Sequence, residues 1–122
     1  MDKPFLDATD VSQFYRYCYY QQIGILWLVI HISTEVLDHI RKHRVVSEEV
    51  EEAWMNRDGP ILLERRSENM RGTVPRYWFI ALTDSGRALK LVYEWTKGRP
   101  PTLVTAYDPN DKEKEIYEKD SN

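Results

Sequence analysis

Three kinds of side chain in this sequence could together cleave RNA without a metal ion. That reaction needs a group that deprotonates the 2′-hydroxyl, cations that hold the phosphate and a donor for the leaving oxygen. The candidates lie beside a predicted hairpin, at the end of a predicted helix and near the C-terminus: Arg76 and Arg87, Lys42 and His43, and Tyr107, Glu113 and Tyr117. Residue types alone do not establish that these side chains converge, and taken alone they indicate only a small α+β domain.

Two histidines share one face of a predicted helix and raise the question of a metal site. His39 and His43 are four residues apart, which places both rings on the same side of the helix. His31 is the one other histidine, and nothing in the sequence brings it to that face. Glu35 lies four residues before His39, so an ordinary helix-surface pair also explains this residue. Because Cys18 has no second cysteine and no glycine-rich nucleotide fingerprint is present, we expect no cofactor.

The charge balance excludes a protein that coats double-stranded nucleic acid. The 122 residues carry 17 Lys and Arg against 20 Asp and Glu, for a net charge of −3. Only the segment from residue 57 to 99 is basic, so any nucleic-acid contact must be local. The longest apolar run, Ile23 to Ile30, is too short for a membrane span, which needs about 20 residues. A single cysteine and the lack of a signal pattern favour the cytoplasm.

The first half of the chain predicts an extension, a strand and two helices. Residues 1–22 hold an aromatic cluster that we expect to pack on the domain or on a partner. Ile23 to Ile30 predicts a buried strand that opens a single domain over residues 23–122. Ser33 or Thr34 can cap the first helix, and the second is expected to start at Ser47.

The second half predicts four strands and a helix. The first strand is expected at Ile61 to Arg66, and a hairpin with a turn at Gly86 joins Tyr77–Thr83 to Ala88–Trp95. Thr102 to Tyr107 predicts the last strand. Asp108 and Pro109 look like the cap and first residue of the C-terminal helix. The sequence therefore predicts an α+β fold, a mainly antiparallel sheet with two N-terminal helices and one C-terminal helix.

Three segments of the chain, in order, resemble one family. HIRKHRVVSEEVEEAW is similar to the family pattern LRKHGVSFEEA, with Arg44 at the usual glycine. RYWFIALTDSGRALKLVYEW is similar to its central hairpin, and VTAYDPNDKEKEIYEK aligns without gaps to the ending ISARRATRREREIYE. The chain thus resembles the BrnT-like toxins of bacterial toxin–antitoxin pairs, which have the RelE-like ribonuclease fold.

The resemblance implies an activity and a set of partners. It implies an RNA-cleaving toxin that a cognate antitoxin neutralises, often in a dimer of heterodimers, with operator DNA bound only through the antitoxin. The family's paired arginines fall on Tyr107 and Asp108, and a following arginine falls on Asp111, so the phosphate-binding edge differs. Lys112, Glu113, Tyr117 and Arg87 are among the retained counterparts.

Our leading hypothesis is a metal-independent endoribonuclease, with phosphate binding by Arg76 and Arg87 and supporting contacts from Lys42 and His43. In the same hypothesis, Glu113 or His43 acts in proton transfer, and Tyr107 stacks a base or donates a hydrogen bond. Lys112 and Tyr117 complete the predicted substrate-binding residues.

Each of these residues also has a structural interpretation. The two arginines could pair with Glu94 or Asp84 on the sheet surface, and Glu113 could be a solvated carboxylate at a helix start. The alternative function is a protein-binding module of the same fold with weak or lost catalysis.

Overall fold

The computed structural model describes residues 29–64 and 74–121. Within them the chain forms helix α1 at Thr34–Arg41, helix α2 at Ser47–Asn56 and a short strand β1 at Leu62–Leu63. Strands β2, β3 and β4 and helix α3 follow, at Arg76–Leu82, Ala88–Glu94, Thr102–Tyr107 and Asp111–Ser121. All four strands form one antiparallel sheet in the order β1-β2-β3-β4, which confirms the predicted α+β fold.

The two helices before the sheet begin where the capping signals predict. The Ser33 hydroxyl accepts a hydrogen bond of 3.2 Å from the Val36 N–H and so caps α1. At α2 the Glu49 carboxylate accepts from the Val46 N–H at 3.2 Å, which satisfies a donor at the start of the helix.

Helix α1 ends in a turn that requires a left-handed residue. The Arg44 N–H donates to the Arg41 carbonyl and the Val45 N–H donates to the Ile40 carbonyl, the pattern of a Schellman motif. Arg44 occupies the motif's left-handed position with φ of 61°, a conformation that glycine adopts without strain. Buried Ile40 and Val45 anchor the turn in the core.

The core lies between the two N-terminal helices and one face of the sheet. Trp54 of α2 contacts the rings of Phe79 and Tyr93, with centroids 5.7 and 5.0 Å apart. Leu89, Leu91 and Tyr93 are fully buried on this face, as the alternation in β3 predicts. The predicted hairpin turn is also confirmed, because Gly86 has a φ of 93°.

The C-terminal helix starts later than the sequence predicts. It begins at Asp111, and its cap is Asn110, whose side-chain oxygen accepts from the Glu113 N–H at 2.8 Å. The Glu113 carboxylate accepts in turn from the Asn110 N–H at 2.9 Å. The predicted cap at Asp108 is wrong because an ion pair with Arg87 engages the Asp108 carboxylate.

Three other predicted elements lie wholly or partly outside the described residues. The extension at residues 1–22 and most of the strand Ile23 to Ile30 lie there, and Val29 and Ile30 are not in a strand. The described chain joins the sheet at His31, which forms a parallel bridge with Thr102. The predicted strand Ile61 to Arg66 is reduced to Leu62–Leu63, and its last two residues are not described.

Candidate functional site

The second face of the sheet, opposite the core, carries a cleft beside the end of α1. Strand register places Lys90 directly across from Tyr107 and Val92 across from Thr105. His39 of α1 and His43 of the turn after it lie beside the edge strand β4, and His39 Nε2 is 2.9 Å from the Thr105 hydroxyl.

Basic, aromatic and aliphatic side chains and one carboxylate, Glu64, line this cleft. The cleft has a volume of about 300 Å³, at the lower end of the usual range for small-molecule pockets. Its lining residues come from α1 and the turn after it, the residue after β1, and strands β2 to β4: His39, His43, Glu64, Arg76, Lys90, Val92, Val104, Thr105 and Tyr107.

Aromatic rings contact one another along one wall of the cleft. The centroid of the His43 ring lies 5.6 Å from that of the Tyr107 ring, and the His39 ring meets His43 edge-on at 5.2 Å. The four-residue spacing of the histidines produces this arrangement, because the turn after α1 keeps His43 on the side of His39 that faces β4. A planar ligand such as a nucleobase can pack on the exposed His43 ring.

A buried network of charged and polar groups lies at the floor of the cleft. The Lys90 ammonium donates to Glu113 Oε2 at 2.8 Å, and the Tyr107 hydroxyl donates to the same oxygen at 2.8 Å. Lys90 is only 4% exposed, and its ammonium lies 4.3 Å from the centroid of the Trp78 ring. One carboxylate of α3 therefore neutralises a buried cation and fixes an aromatic ring.

The pKa shifts in this network fix its protonation state. Burial raises the pKa of Glu113, but hydrogen bonds from Lys90, the Asn110 N–H and Tyr107 outweigh it and hold that pKa below its usual value. Burial and the hydrogen bond to Glu113 raise the pKa of Tyr107. At neutral pH, Glu113 is thus a carboxylate that accepts hydrogen bonds, and Tyr107 is a neutral phenol.

Arg87 does not line the cleft, and all of its N–H groups donate to protein acceptors. Its Nε and Nη2 donate to the Asp108 carboxylate at 2.9 and 3.1 Å, and Nη1 donates to Glu49 at 3.0 Å. Nη1 and Nη2 also donate to the backbone carbonyls of Arg44 and His43, at 2.8 and 3.3 Å. The hydrogen bonds to Asp108 raise the pKa of Arg87 and lower that of Asp108.

The structure brings only some of the predicted site residues together. His43, Arg76 and Tyr107 line the cleft, and Glu113 contacts it through Lys90 and Tyr107. Arg76 pairs with Glu94 at 3.0 Å, the structural alternative that the sequence left open.

The other predicted residues lie away from this cleft or have other partners. Lys42 and Lys112 are exposed on the ends of helices, outside its lining. Tyr117 donates to the Pro60 carbonyl at 2.7 Å and packs on Trp78, so its described contacts are structural. Arg87 is linked to the cleft only indirectly, because its Nη2 donates to the backbone carbonyl of His43, which lines the cleft.

Sequence reasoning missed Lys90 as a site residue. The alternation in β3 suggests a solvated outer face, whereas the second sheet face is covered by α3 and Lys90 is buried. The sequence does contain a signal that this face is buried, since Trp78, Ile80 and Val92 on it are apolar.

Within residues 29–64 and 74–121, no group of three or more His, Cys, Asp or Glu side chains is arranged to hold a metal ion. No helix in these residues is long and apolar enough to span a bilayer.

The chain was also compared with known proteins. No protein family, no curated protein and no solved structure matches it. The fold and site define an α+β domain whose second sheet face, partly covered by α3, holds a cleft lined by two histidines, Arg76 and Lys90.

Proposed function

We propose that this chain is a metal-independent endoribonuclease and the toxin of a toxin–antitoxin pair with a RelE-like fold. The observation that carries the proposal is the convergence of two histidines, Tyr107, Lys90 and Arg76 on one cleft of about 300 Å³. Imidazole is the side chain that most often transfers protons in enzymes, and cations beside it favour a phosphate. A cleft of this size accommodates about one nucleotide unit.

In the proposed reaction, His43 removes the proton of the 2′-hydroxyl and the resulting oxygen attacks the adjacent phosphorus. The bond to the 5′-oxygen breaks, and the leaving oxygen takes a proton from His39 or from water. Arg76 holds the non-bridging oxygens, and the buried Lys90 keeps the Glu113 carboxylate ionised at the floor. Tyr107 stacks a base, since its hydroxyl donates a hydrogen bond to Glu113, which holds the ring in place.

Features of the fold support the resemblance on which the toxin assignment rests. Arg44, which stands at the family's usual glycine, adopts the left-handed conformation that glycine favours. The turn glycine followed by arginine also lies in a β-hairpin, with Gly86 in a left-handed conformation. From the resemblance we further propose a cytoplasmic location, a neutralising antitoxin, a heterotetrameric complex and operator binding through the antitoxin alone.

The activity is tested with purified chain and a 5′-labelled single-stranded RNA in buffer containing EDTA. We expect cleavage by the natural chain and a loss of about 10²- to 10⁴-fold in His43→Ala, the usual contribution of a general acid or base. His31→Ala is the matched control, because His31 is an exposed histidine outside the cleft. Equal rates for the two variants, or no cleavage by the natural chain, would contradict the proposal.

A second candidate function is a protein-binding module that has lost the chemistry. The observation that favours it is Asp108, a carboxylate that stands where the family has an arginine and that pairs with Arg87. Expression without a neighbouring antitoxin gene separates the two candidates. Growth arrest with RNA decay that Arg76→Ala abolishes supports the ribonuclease, whereas normal growth with intact RNA supports the binding module.

A further inference from the structure

The environment of Arg87 is unlike that of a residue that binds substrate phosphate. All five of its N–H donors have acceptors, which are the carboxylates of Asp108 and Glu49 and the carbonyls of His43 and Arg44. The side chain is 25% exposed, and two carboxylates beside it oppose the approach of a third anion. A phosphate would have to displace one of these partners before Arg87 could bind it.

The partners of Arg87 belong to three separate elements. Arg87 itself immediately precedes β3, Glu49 lies in the first turn of α2, and Asp108 follows β4. The two carbonyls belong to the turn after α1, and one of them is the carbonyl of His43. The guanidinium thus ties the backbone that carries His43 to the sheet and to α2.

We propose that Arg87 is a positioning residue that holds His43 against Tyr107 in the cleft. The proposal rests on the function proposed above, since it assigns to Arg87 the placement of the proton-transferring imidazole. The left-handed Arg44 increases the need for such a clamp, because a residue other than glycine is strained in that conformation. Without the hydrogen bonds from Arg87 to the carbonyls of His43 and Arg44, the turn that contains His43 can relax, and the His43 ring can move away from Tyr107.

The decisive variant is Asp108→Asn, because the two roles for Arg87 predict opposite changes in its RNA-cleaving activity. If Arg87 positions His43, weakening the clamp lowers kcat by about 10- to 100-fold with little change in KM, since small misplacements of catalytic groups are costly. If Arg87 binds phosphate, removing the competing carboxylate strengthens RNA binding and raises kcat/KM. Asp38→Asn is the matched control, because it breaks an exposed pair with Arg41 on α1 that does not contact the cleft.

Arg87→Met is the second kinetic variant. Positioning predicts a lower kcat, with the salt dependence of RNA binding unchanged. Loss of a phosphate contact instead weakens binding and reduces the salt slope by about one unit. A reduced slope in Arg87→Met, or a raised kcat/KM in Asp108→Asn, would overturn the inference.

A readout that needs no RNA separates failure of this inference from failure of the proposed function. In Asp108→Asn we expect the His43 ring signals in the NMR spectrum to shift and the Val45 amide to exchange about tenfold faster, with Asp38→Asn unchanged. Unchanged signals and exchange would overturn the clamp even if the natural chain cleaves RNA. Absence of RNA cleavage with these changes present would reject the ribonuclease function and leave the clamp in place.

Discussion

Replacing Glu113 with glutamine removes the counter-charge of a buried ammonium group and nearly preserves the shape of the side chain. The side chains of Lys90 and Glu113 are 5% and 15% exposed, and their charged atoms are 2.8 Å apart. Removing one member of a buried ion pair typically costs about 3–5 kcal/mol. Because Glu113 is partly exposed, we expect the lower end, about 3 kcal/mol in the free energy of unfolding.

A double-mutant cycle separates the energy of the Lys90–Glu113 ion pair from the other stability losses that each substitution causes. In Lys90→Met/Glu113→Gln both charges are gone, and we expect a loss of about 1 kcal/mol, since an apolar replacement of a buried pair is often nearly neutral. Glu118→Gln is the control, an exposed carboxylate on the same helix, with an expected change within about 0.5 kcal/mol.

Urea denaturation followed by circular dichroism measures these free energies. With an m-value of about 2 kcal/mol/M, Glu113→Gln should lower the midpoint by about 1.5 M. The double variant should recover most of that shift, and with Lys90→Met as the second single variant the coupling energy should be at least about 2 kcal/mol. A Glu113→Gln midpoint within about 0.3 M of the natural chain, or losses that simply add, would refute the ion-pair account of the cleft floor.

Three further predictions concern local structure. Arg44→Gly should raise the free energy of unfolding by up to about 1 kcal/mol, because glycine relieves the strain of the left-handed conformation. Urea denaturation measures this change, and a lower free energy of unfolding would contradict the Schellman assignment. Burial raises the pKa of Tyr117 to about 12, so the folded state keeps this proton longer than the unfolded state does. Stability should therefore fall as the pH rises from about 10 to about 12, and Tyr117→Phe should flatten that fall in thermal melts. Asn110→Ala should cost about 1 kcal/mol through loss of the α3 cap, whereas an unchanged melting temperature would argue against that cap.

Local signals in the sequence account for most of the fold. The Ser33 cap, the start of α2 at Ser47 and the hairpin turn at Gly86 each depend on residues within one or two turns of the chain. Strand alternation also places Leu89 and Leu91 in the core. These features are predictable because the physical cause and the structure lie at the same place in the sequence.

The parts that the sequence did not predict depend on partners that are distant along the chain. Asp108 has the residue type of a helix cap, but Arg87, 21 residues earlier, engages it, and Asn110 becomes the cap. The sequence around Lys90 indicates a solvent-exposed lysine, whereas in the structure α3 covers it and Glu113 neutralises its charge. The hairpin motif predicts that Arg87 binds phosphate, because the motif does not reveal that the carboxylates of Glu49 and Asp108 surround its side chain.

The most direct test of the proposed chemistry is the fate of one 2′-hydroxyl. We would compare an RNA oligonucleotide with the same sequence carrying a single 2′-deoxy substitution at the mapped cleavage position, with the products identified by mass spectrometry. Attack by the 2′-oxygen predicts a 2′,3′-cyclic phosphate on the upstream fragment and no cut at the substituted position. Cleavage at the deoxy position, or an upstream fragment with a free 3′-hydroxyl, would contradict the proposed role of the His43 cleft.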